Sequence, residues 1–357
     1  MKLIRLFRVN RATALTTTLG GIVVFALGAL AGSRLLARSA RPSTITLPGT
    51  YVHPEAHACK DRFPLLNPDA VCEGLGTITK VGYKETQVTI AHYIEAERRA
   101  GRIREGAMFF RDLKNGPTFG VNYLVEFAPA SLIKLPIAFV FLAAADVDPG
   151  ILQVRRKYTG TVASLDQSIM PGKTANPGQP YTVSELLRMT ISFSDNASYF
   201  ALEHFLAETP AGANARSQTF KELGVMDPKD RVDATLSVRG YSSLFTTLYN
   251  SSFLTKEYSQ LLLRWLAESD YEKGLRAGIP AEIPIAHKFG IRTESNTDRQ
   301  LHDCGIVYFP GNPYTLCIMT RGAGRRDLER AIENIARIVH QEVTSRRIDQ
   351  PPAEMIK

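Results

Sequence analysis

Ser131 and Lys134 have the side-chain types and the spacing that nucleophilic chemistry needs. From Leu132 to Ala145 the chain is otherwise apolar, which predicts a buried helix with the hydroxyl and the amine on one face. Burial lowers the pKa of an amine, and a neutral amine beside a serine can take the hydroxyl proton. A Ser-x-x-Lys match also arises by chance in a chain of 357 residues, so the pair needs support from elsewhere.

A second polar group, Ser194-Asp195-Asn196, interrupts a helical pattern. Thr182 and Glu185 have the spacing of a capping box, so one helix begins there, and a second helical pattern follows the break. Ser, Asp and Asn can satisfy the backbone groups of such a break through local side-chain bonds. The alternative interpretation is an ordinary N-cap, for which Asp195 or Asn196 alone would be enough.

A third group, Lys288-Phe289-Gly290, lies within the apolar stretch Ile283–Ile291, which predicts a strand. This group places a lysine in an apolar segment for the second time. The two lysines would repel each other if the fold brought them to one cleft, and the repulsion would lower a pKa further.

Strands near both ends of the chain with helices between them predict an α+β fold. The other predicted elements are a helix over Gln87–Arg99, a hairpin around Asn115-Gly116, strands over Gln300–Phe309 and Tyr314–Thr320, and a helix over Arg325–Arg347. One antiparallel sheet would then form from residues 107–130 and 283–320, flanked by the terminal helices. Residues 131–279 would form an all-α subdomain.

The three polar groups together resemble the motif set of the penicillin-recognising serine enzymes, and in particular of the class A β-lactamases. The resemblance extends from about Met108 to Val343 and is most specific in Tyr181–Asn196. It implies a β-lactamase/transpeptidase-like fold and an acyl-enzyme mechanism on a β-lactam or on a peptidoglycan stem peptide. It implies no cofactor and no metal.

The resemblance also implies roles for individual residues. Ser131 would be the nucleophile, Lys134 its base, and Ser194 the relay that carries a proton to the leaving nitrogen. Asn196 would hold Lys134 and a substrate amide. Asp195 would be structural.

On the third motif, Lys288 would attract a substrate carboxylate, and Gly290 would complete the motif. The backbone N–H groups of Ser131 and Ile291 would form the oxyanion hole. Phe289 departs from the family pattern, because it stands where a hydroxyl residue is expected to bind that carboxylate. Arg292 or Thr293 would have to compensate.

The connector from Thr209 to Asp233 is the second departure. The family carries there a glutamate that positions the deacylating water, within a signature that this chain lacks. The connector offers four carboxylates instead, of which Glu222 is the best placed by its context: Glu222, Asp227, Asp230 and Asp233. We therefore expect acylation to be faster than deacylation.

Residues 12–33 carry no charge and are long enough to cross a bilayer. This predicts a basic segment over 1–11, a transmembrane anchor over 12–33, a linker over 34–85, a catalytic domain over 86–347 and a tail over 348–357. The catalytic domain would lie outside the cytoplasm on a single-pass anchor. The alternative is secretion after cleavage of a signal peptide near Ala29-Leu30-Ala31.

The four cysteines fit an oxidising compartment. Cys59 and Cys72 close a short loop in the linker, which favours a disulfide, and a zinc site with His53, His57 and Cys59 is the sharper alternative. Cys304 and Cys317 fall in two apolar strands, where we expect buried thiols.

The composition sets the remaining limits. With 44% apolar residues the chain can bury a large core as one catalytic unit, for which we expect a monomer. The net charge of +8 comes from scattered basic residues without a groove-reading motif, which argues against nucleic acid as a partner. Beside β-lactam hydrolysis, a peptidoglycan peptidase or transpeptidase and a non-catalytic cell-wall-binding module remain open alternatives.

Overall fold

The structure, a computed structural model, describes residues 64–66, 83–114, 117–160, 173–229, 234–295 and 297–348. The predicted anchor, the cysteine pair Cys59 and Cys72, the two histidines of the zinc alternative, and residues 349–357 lie outside the described residues. Pro64–Leu66 belongs to the predicted linker, and the rest of the description concerns the predicted catalytic domain.

A five-stranded antiparallel sheet forms the centre of the domain, in the order β2-β1-β9-β8-β7. Its strands are β1 (Glu105–Asp112), β2 (Thr118–Val121), β7 (Ile285–Ser295), β8 (Asp298–Val307) and β9 (Tyr314–Gly322). Strand β1 pairs with β9 along its whole length, so the two ends of the domain share one sheet, as predicted. Strand β7 is an edge strand, so alternate backbone N–H groups along it point away from the sheet.

The remaining strands form two short ribbons. One ribbon pairs β3 (Glu126–Phe127) with β6 (Leu236–Ser237), and the other pairs β4 (Arg155–Arg156) with β5 (Tyr181–Thr182).

Two terminal helices, α1 (Lys84–Arg99) and α9 (Arg325–Ile348), cover one face of the sheet. Apolar residues at helical spacing, such as Ile90 and Ile94 on α1 and Leu328 and Ile332 on α9, are buried there against the strands. The flanking helices of the predicted fold are thereby confirmed.

The other face of the sheet carries the helical subdomain. Its helices are α2 (Lys134–Val147), α3 (Val183–Ser192), α4 (Asn196–Ala207), α5 (Pro210–Glu222), α6 (Val238–Tyr249) and α7 (Lys256–Ala267), and the short α8 (Leu275–Gly278) follows them. Helix α2 is buried almost all round, at the centre of the larger core. By length and composition, Ala130–Val147 is one candidate membrane span among the described residues, but its burial marks it as a core helix.

The predicted linker requires a correction at Pro64–Leu66, because this segment packs on the domain. Leu66 is buried in the larger core. The backbone N–H of Leu65 donates to Oε1 of Gln260 at 3.1 Å, and the Tyr308 hydroxyl donates to the Leu65 carbonyl at 3.0 Å. Helix α1 also begins at Lys84, inside the range assigned to the linker.

The expectation of buried thiols at Cys304 and Cys317 is wrong, because the two residues form a disulfide. The register of β8 on β9 places them directly opposite each other, with Cα atoms 3.9 Å apart. Both strands were predicted, but strand sequence alone does not determine register. Cys304 also lies opposite Lys288 of β7, so the disulfide shares a face of the sheet with that lysine.

Candidate active site

Ser131 lies in a tight turn at the start of the central helix. Ala130–Ile133 form a 3₁₀ helix, and α2 begins at Lys134, so the two residues belong to successive turns rather than to one α-helix. Ala130 has a φ of +50°, a conformation that L-residues adopt only where their surroundings enforce it. The Tyr241 hydroxyl donates to the Leu132 carbonyl at 2.9 Å and holds the turn from the side of α6.

Two side chains of β8 hold the backbone three residues before Ser131. Gln300 accepts a hydrogen bond from the Ala128 N–H at 3.0 Å, and Nε2 of His302 lies 3.0 Å from the Ala128 carbonyl. Because a carbonyl only accepts, Nε2 carries the proton. Burial lowers the pKa of His302 to about 4, which keeps the ring neutral. The sequence analysis missed both residues, whose only signal was two polar side chains at alternate positions of an apolar strand.

Gly290 brings β7 directly against the nucleophile. A Cβ atom on this residue would lie 3.0 Å from the Ser131 backbone nitrogen and 3.1 Å from that of Leu132. Only glycine permits this approach without moving the turn. The edge strand β7 therefore lies directly beside the Ser131 N–H. An oxyanion hole made from the N–H groups of Ser131 and Ile291 requires this arrangement.

The Lys134 amine is buried and donates its hydrogen bonds to the second motif. Its acceptors are the Ser194 carbonyl at 2.5 Å, the Ser194 hydroxyl at 3.2 Å and Oδ1 of Asn196 at 2.6 Å. The structure thus brings Lys134, Ser194 and Asn196 together, beside the turn that carries Ser131. Among the described residues, no hydrogen bond of the amine goes to Ser131 itself.

Burial lowers the pKa of Lys134 from 10.5 to about 7, and the Asp195 carboxylate opposes the shift. We expected Lys288 to contribute to this lowering. The repulsion instead acts on the other lysine: burial first, and Lys134 second, hold the pKa of Lys288 well below its usual range. Lys134 is therefore near its midpoint at neutral pH, where an amine can both take and return a proton.

Asp195 holds the loop of the second motif together. Its buried carboxylate accepts from the Thr174 hydroxyl at 2.5 Å and from the backbone N–H groups of Ala175, Ala197 and Ser198 at 2.9–3.1 Å. It also accepts from the Ser198 hydroxyl. The last two N–H groups belong to the first turn of α4, so Asp195 is both the N-cap and the centre of a network.

The network supports a strained residue. Ser194 has a φ of +54°, which turns its carbonyl and its hydroxyl toward the same amine. The N-cap alternative is therefore correct for Asp195 but incomplete, because Ser194 and Asn196 have a separate task at Lys134.

Lys288 is buried completely and has a local acceptor. Its amine donates to the Phe289 carbonyl at 2.9 Å and lies 4.5 Å from the centre of the Phe289 ring. Arg292 lies two residues beyond Gly290, is exposed, and forms an ion pair with Glu294. These two cations, predicted to bind a carboxylate, thus already have partners in the structure.

The Thr209–Asp233 connector contains helix α5, and a buried ion pair holds the segment that follows this helix. Arg216 donates to both oxygens of Asp227, at 2.6 and 2.7 Å, and to Glu203. Asp227 is therefore committed to Arg216, while Glu222 is exposed at the end of α5 and accepts from Gln218 at 2.8 Å. Asp230 and Asp233, the other two candidates, lie outside the described residues.

Replacing Asp195 by asparagine tests the role of the network. An amide presents an NH₂ group to donors that need an acceptor, so we expect Asp195→Asn to lower the free energy of unfolding by about 3 kcal/mol. Urea unfolding measures the loss. Asp148→Asn is the matched control, since the exposed Asp148 also caps a turn by accepting from Gly150, and its effect should stay within about 0.5 kcal/mol. Equal effects of the two changes would contradict the assignment.

The fold is similar to that of several solved proteins. PBP-A has 22% identity over 75% of this chain and 100% of its own, with a TM-score of 0.61. A variant of PBP-A, solved as an acyl-enzyme complex with penicillin G, gives a TM-score of 0.60 at 22% identity, over 73% of this chain and 97% of its own. A class A β-lactamase from Mycobacterium abscessus has a TM-score of 0.60 at 21% identity, over 71% of this chain and 99% of its own.

Identities this low support a common fold and nothing finer. No curated protein matches the chain in sequence. A sequence profile of the β-lactamase enzyme family, however, matches residues 89–343, which span the sheet, the helical subdomain and all three motifs. The chain belongs to the β-lactamase enzyme family.

Proposed function

We propose that this protein is a serine acyl-transfer enzyme that opens the amide bond of a β-lactam and forms an acyl-enzyme at Ser131. One observation carries the proposal. The buried amine of Lys134, with a pKa lowered to about 7, is bonded to the second motif, and Lys134 follows directly on the turn that presents Ser131.

Acylation can be written with these groups alone. The Ser131 Oγ attacks the carbonyl carbon, its proton passes to Nζ of neutral Lys134, and an O–C bond forms. The C–N bond then breaks, and the leaving nitrogen receives a proton from the Ser194 hydroxyl. Lys134 returns a proton to Ser194, whose hydroxyl oxygen is 3.2 Å away, so the proton taken from Ser131 ends on the leaving nitrogen.

The negative charge of the tetrahedral intermediate needs donors that are already in place. The backbone N–H of Ser131 is one, at the point where Gly290 approaches, and the N–H of Ile291 on the edge strand would be the second. Removal of one such donor typically lowers a rate by about 10²–10³-fold. Asn196, whose Oδ1 accepts from Lys134 at 2.6 Å, would bind the substrate amide.

Deacylation needs a further group, a base that holds water against the ester. Among the described carboxylates of the connector, Asp227 is bound to Arg216 and Glu222 points into solvent at the end of α5. A missing general base typically slows a proton transfer by about 10²–10⁴-fold. This favours a long-lived acyl-enzyme, which a peptidoglycan peptidase or transpeptidase would also form.

Ser131→Ala should abolish covalent labelling by penicillin G, because the attacking atom is removed and little packing is lost. Intact-protein mass spectrometry measures the adduct. Ser192→Ala is a matched control, since Ser192 is buried two residues before the second motif and donates to the Trp265 carbonyl at 2.8 Å rather than to any group of the site. An adduct on the Ser131→Ala protein would exclude this nucleophile.

Turnover should be limited by deacylation. After stopped-flow acylation and a chase, we expect the adduct to decay at least about 100-fold more slowly than it forms, because neither described carboxylate of the connector is placed to act as a base. Glu222→Gln should leave both rates unchanged. Deacylation as fast as acylation, with that speed lost in Glu222→Gln, would contradict the expectation and identify the missing base.

We also propose that the domain functions outside the cytoplasm, held by an anchor over residues 12–33. The disulfide between Cys304 and Cys317 supports an oxidising compartment, as the uncharged N-terminal stretch does. Fractionation and thiol trapping on intact cells should recover the protein with the membrane and with no reactive thiol, including at Cys59 and Cys72. Recovery in the cytosol with free thiols would contradict the proposal.

A further inference from the structure

Three aromatic side chains form a separate cluster beside the nucleophile, here called the aromatic wall: Phe193, Tyr271 and Phe289. The rings of Tyr271 and Phe289 are stacked, with centroids 4.2 Å apart and planes 25° from parallel. Both residues are almost fully buried, and Phe193 packs against them. The cluster is distinct from the two large cores on either side of the sheet.

The aromatic wall lies at the cleft. Phe289 immediately precedes Gly290, which approaches the Ser131 nitrogen, and Phe193 immediately precedes Ser194, which binds Lys134. The wall therefore contains one residue of the third motif and the residue that precedes the second. It also lies next to Lys288, whose amine is 4.5 Å from the centre of the Phe289 ring.

The position of Tyr271 is fixed by contacts behind it. Its hydroxyl donates to Glu329 of α9 at 3.3 Å. The Asp303 carboxylate of β8 accepts from the Leu275 N–H at 2.9 Å. Gly274, the residue before Leu275, has a φ of +61°, and the same carboxylate occupies the space that a Cβ atom on Gly274 would need. The segment that carries Tyr271 is thus bound to both β8 and α9.

The wall also covers the amine of Lys288. The Lys288 amine is fully buried beneath the Phe289 ring and is bonded to the Phe289 carbonyl, so it offers no surface to an anion. Burial, and after it the nearby Lys134, hold the pKa of this amine well below its usual range, so its charged form is disfavoured. An anionic group arriving here would lose its water without reaching the buried Lys288 amine.

The exposed cations around the wall already have carboxylate partners. Lys173 lies over the Phe193 ring and forms an ion pair with Asp270. Arg188 lies near the same ring and forms an ion pair with Glu268 at 2.6 Å. Arg292 pairs with Glu294. Each of these three cations is thereby balanced by a carboxylate of the protein.

We propose that the aromatic wall makes this end of the cleft a neutral, apolar subsite, so that the preferred acyl donor carries no carboxylate next to the scissile bond. The inference rests on the proposed acylation of Ser131 and specifies its substrate class. Uncharged amides and esters, such as an internal peptide bond, fit this subsite, whereas a donor that ends in a free carboxylate does not.

The test compares penicillin G with its methyl ester, which differ only in the charge of that carboxylate. Second-order acylation rates of the wild-type protein are measured by intact-protein mass spectrometry. We expect the ester to acylate at least as fast as the acid. One charge-assisted hydrogen bond to the carboxylate would make the acid react about tenfold faster than the ester. A difference of this size or more would overturn the inference, while the proposed acylation of Ser131 would stand.

Two variants locate the effect. Phe289→Thr removes the ring over Lys288 and adds a hydroxyl, so the ratio of acid to ester rates should rise by at least about tenfold. Phe289→Leu keeps the site apolar, and its ratio should stay within about twofold of wild type. A folded Phe289→Thr protein with an unchanged ratio would overturn the inference. No adduct with either compound would overturn the proposed acylation, and this inference with it.

Discussion

The burial of the Lys134 amine is the constraint on which the site depends. An amine removed from water is expensive to keep charged, and three oxygen acceptors from Ser194 and Asn196 compensate only in part. Its pKa therefore falls to about 7. A lysine in this condition can act as a base at neutral pH, and its three acceptors also fix where the base is.

Most of the surrounding structure serves to place groups around that amine. Asp195 keeps Ser194 in its left-handed conformation, while Tyr241, Gln300 and His302 hold the turn before α2. The second lysine of the cleft has a contrasting environment. Lys288 is completely buried, and burial holds its pKa well below its usual range, so it contributes little charge to the cleft. Similar residues thus have different functions because their neighbours differ.

The sequence predicted the parts of this account that are local. The apolar run after Ser131, the capping box at Thr182 and the strand around Lys288 indicated the elements, and the order of the three motifs indicated the family. Features that depend on long-range register were not predicted, because they need three-dimensional neighbours. The disulfide of Cys304 and Cys317 is one, and the bonds from β8 to Ala128, across more than 170 residues, are another.

The pKa of Lys134 is the quantity that tests the account most directly. Lysine labelled with ¹³C at Cε, assigned through a Lys134→Arg protein, gives a titration curve by NMR that does not depend on any substrate. The account predicts a midpoint near pH 7, well separated from those of the exposed lysines. A midpoint near the ordinary value of 10.5 would contradict it, because Lys134 would then be an ammonium ion at neutral pH and Ser131 would lack its base.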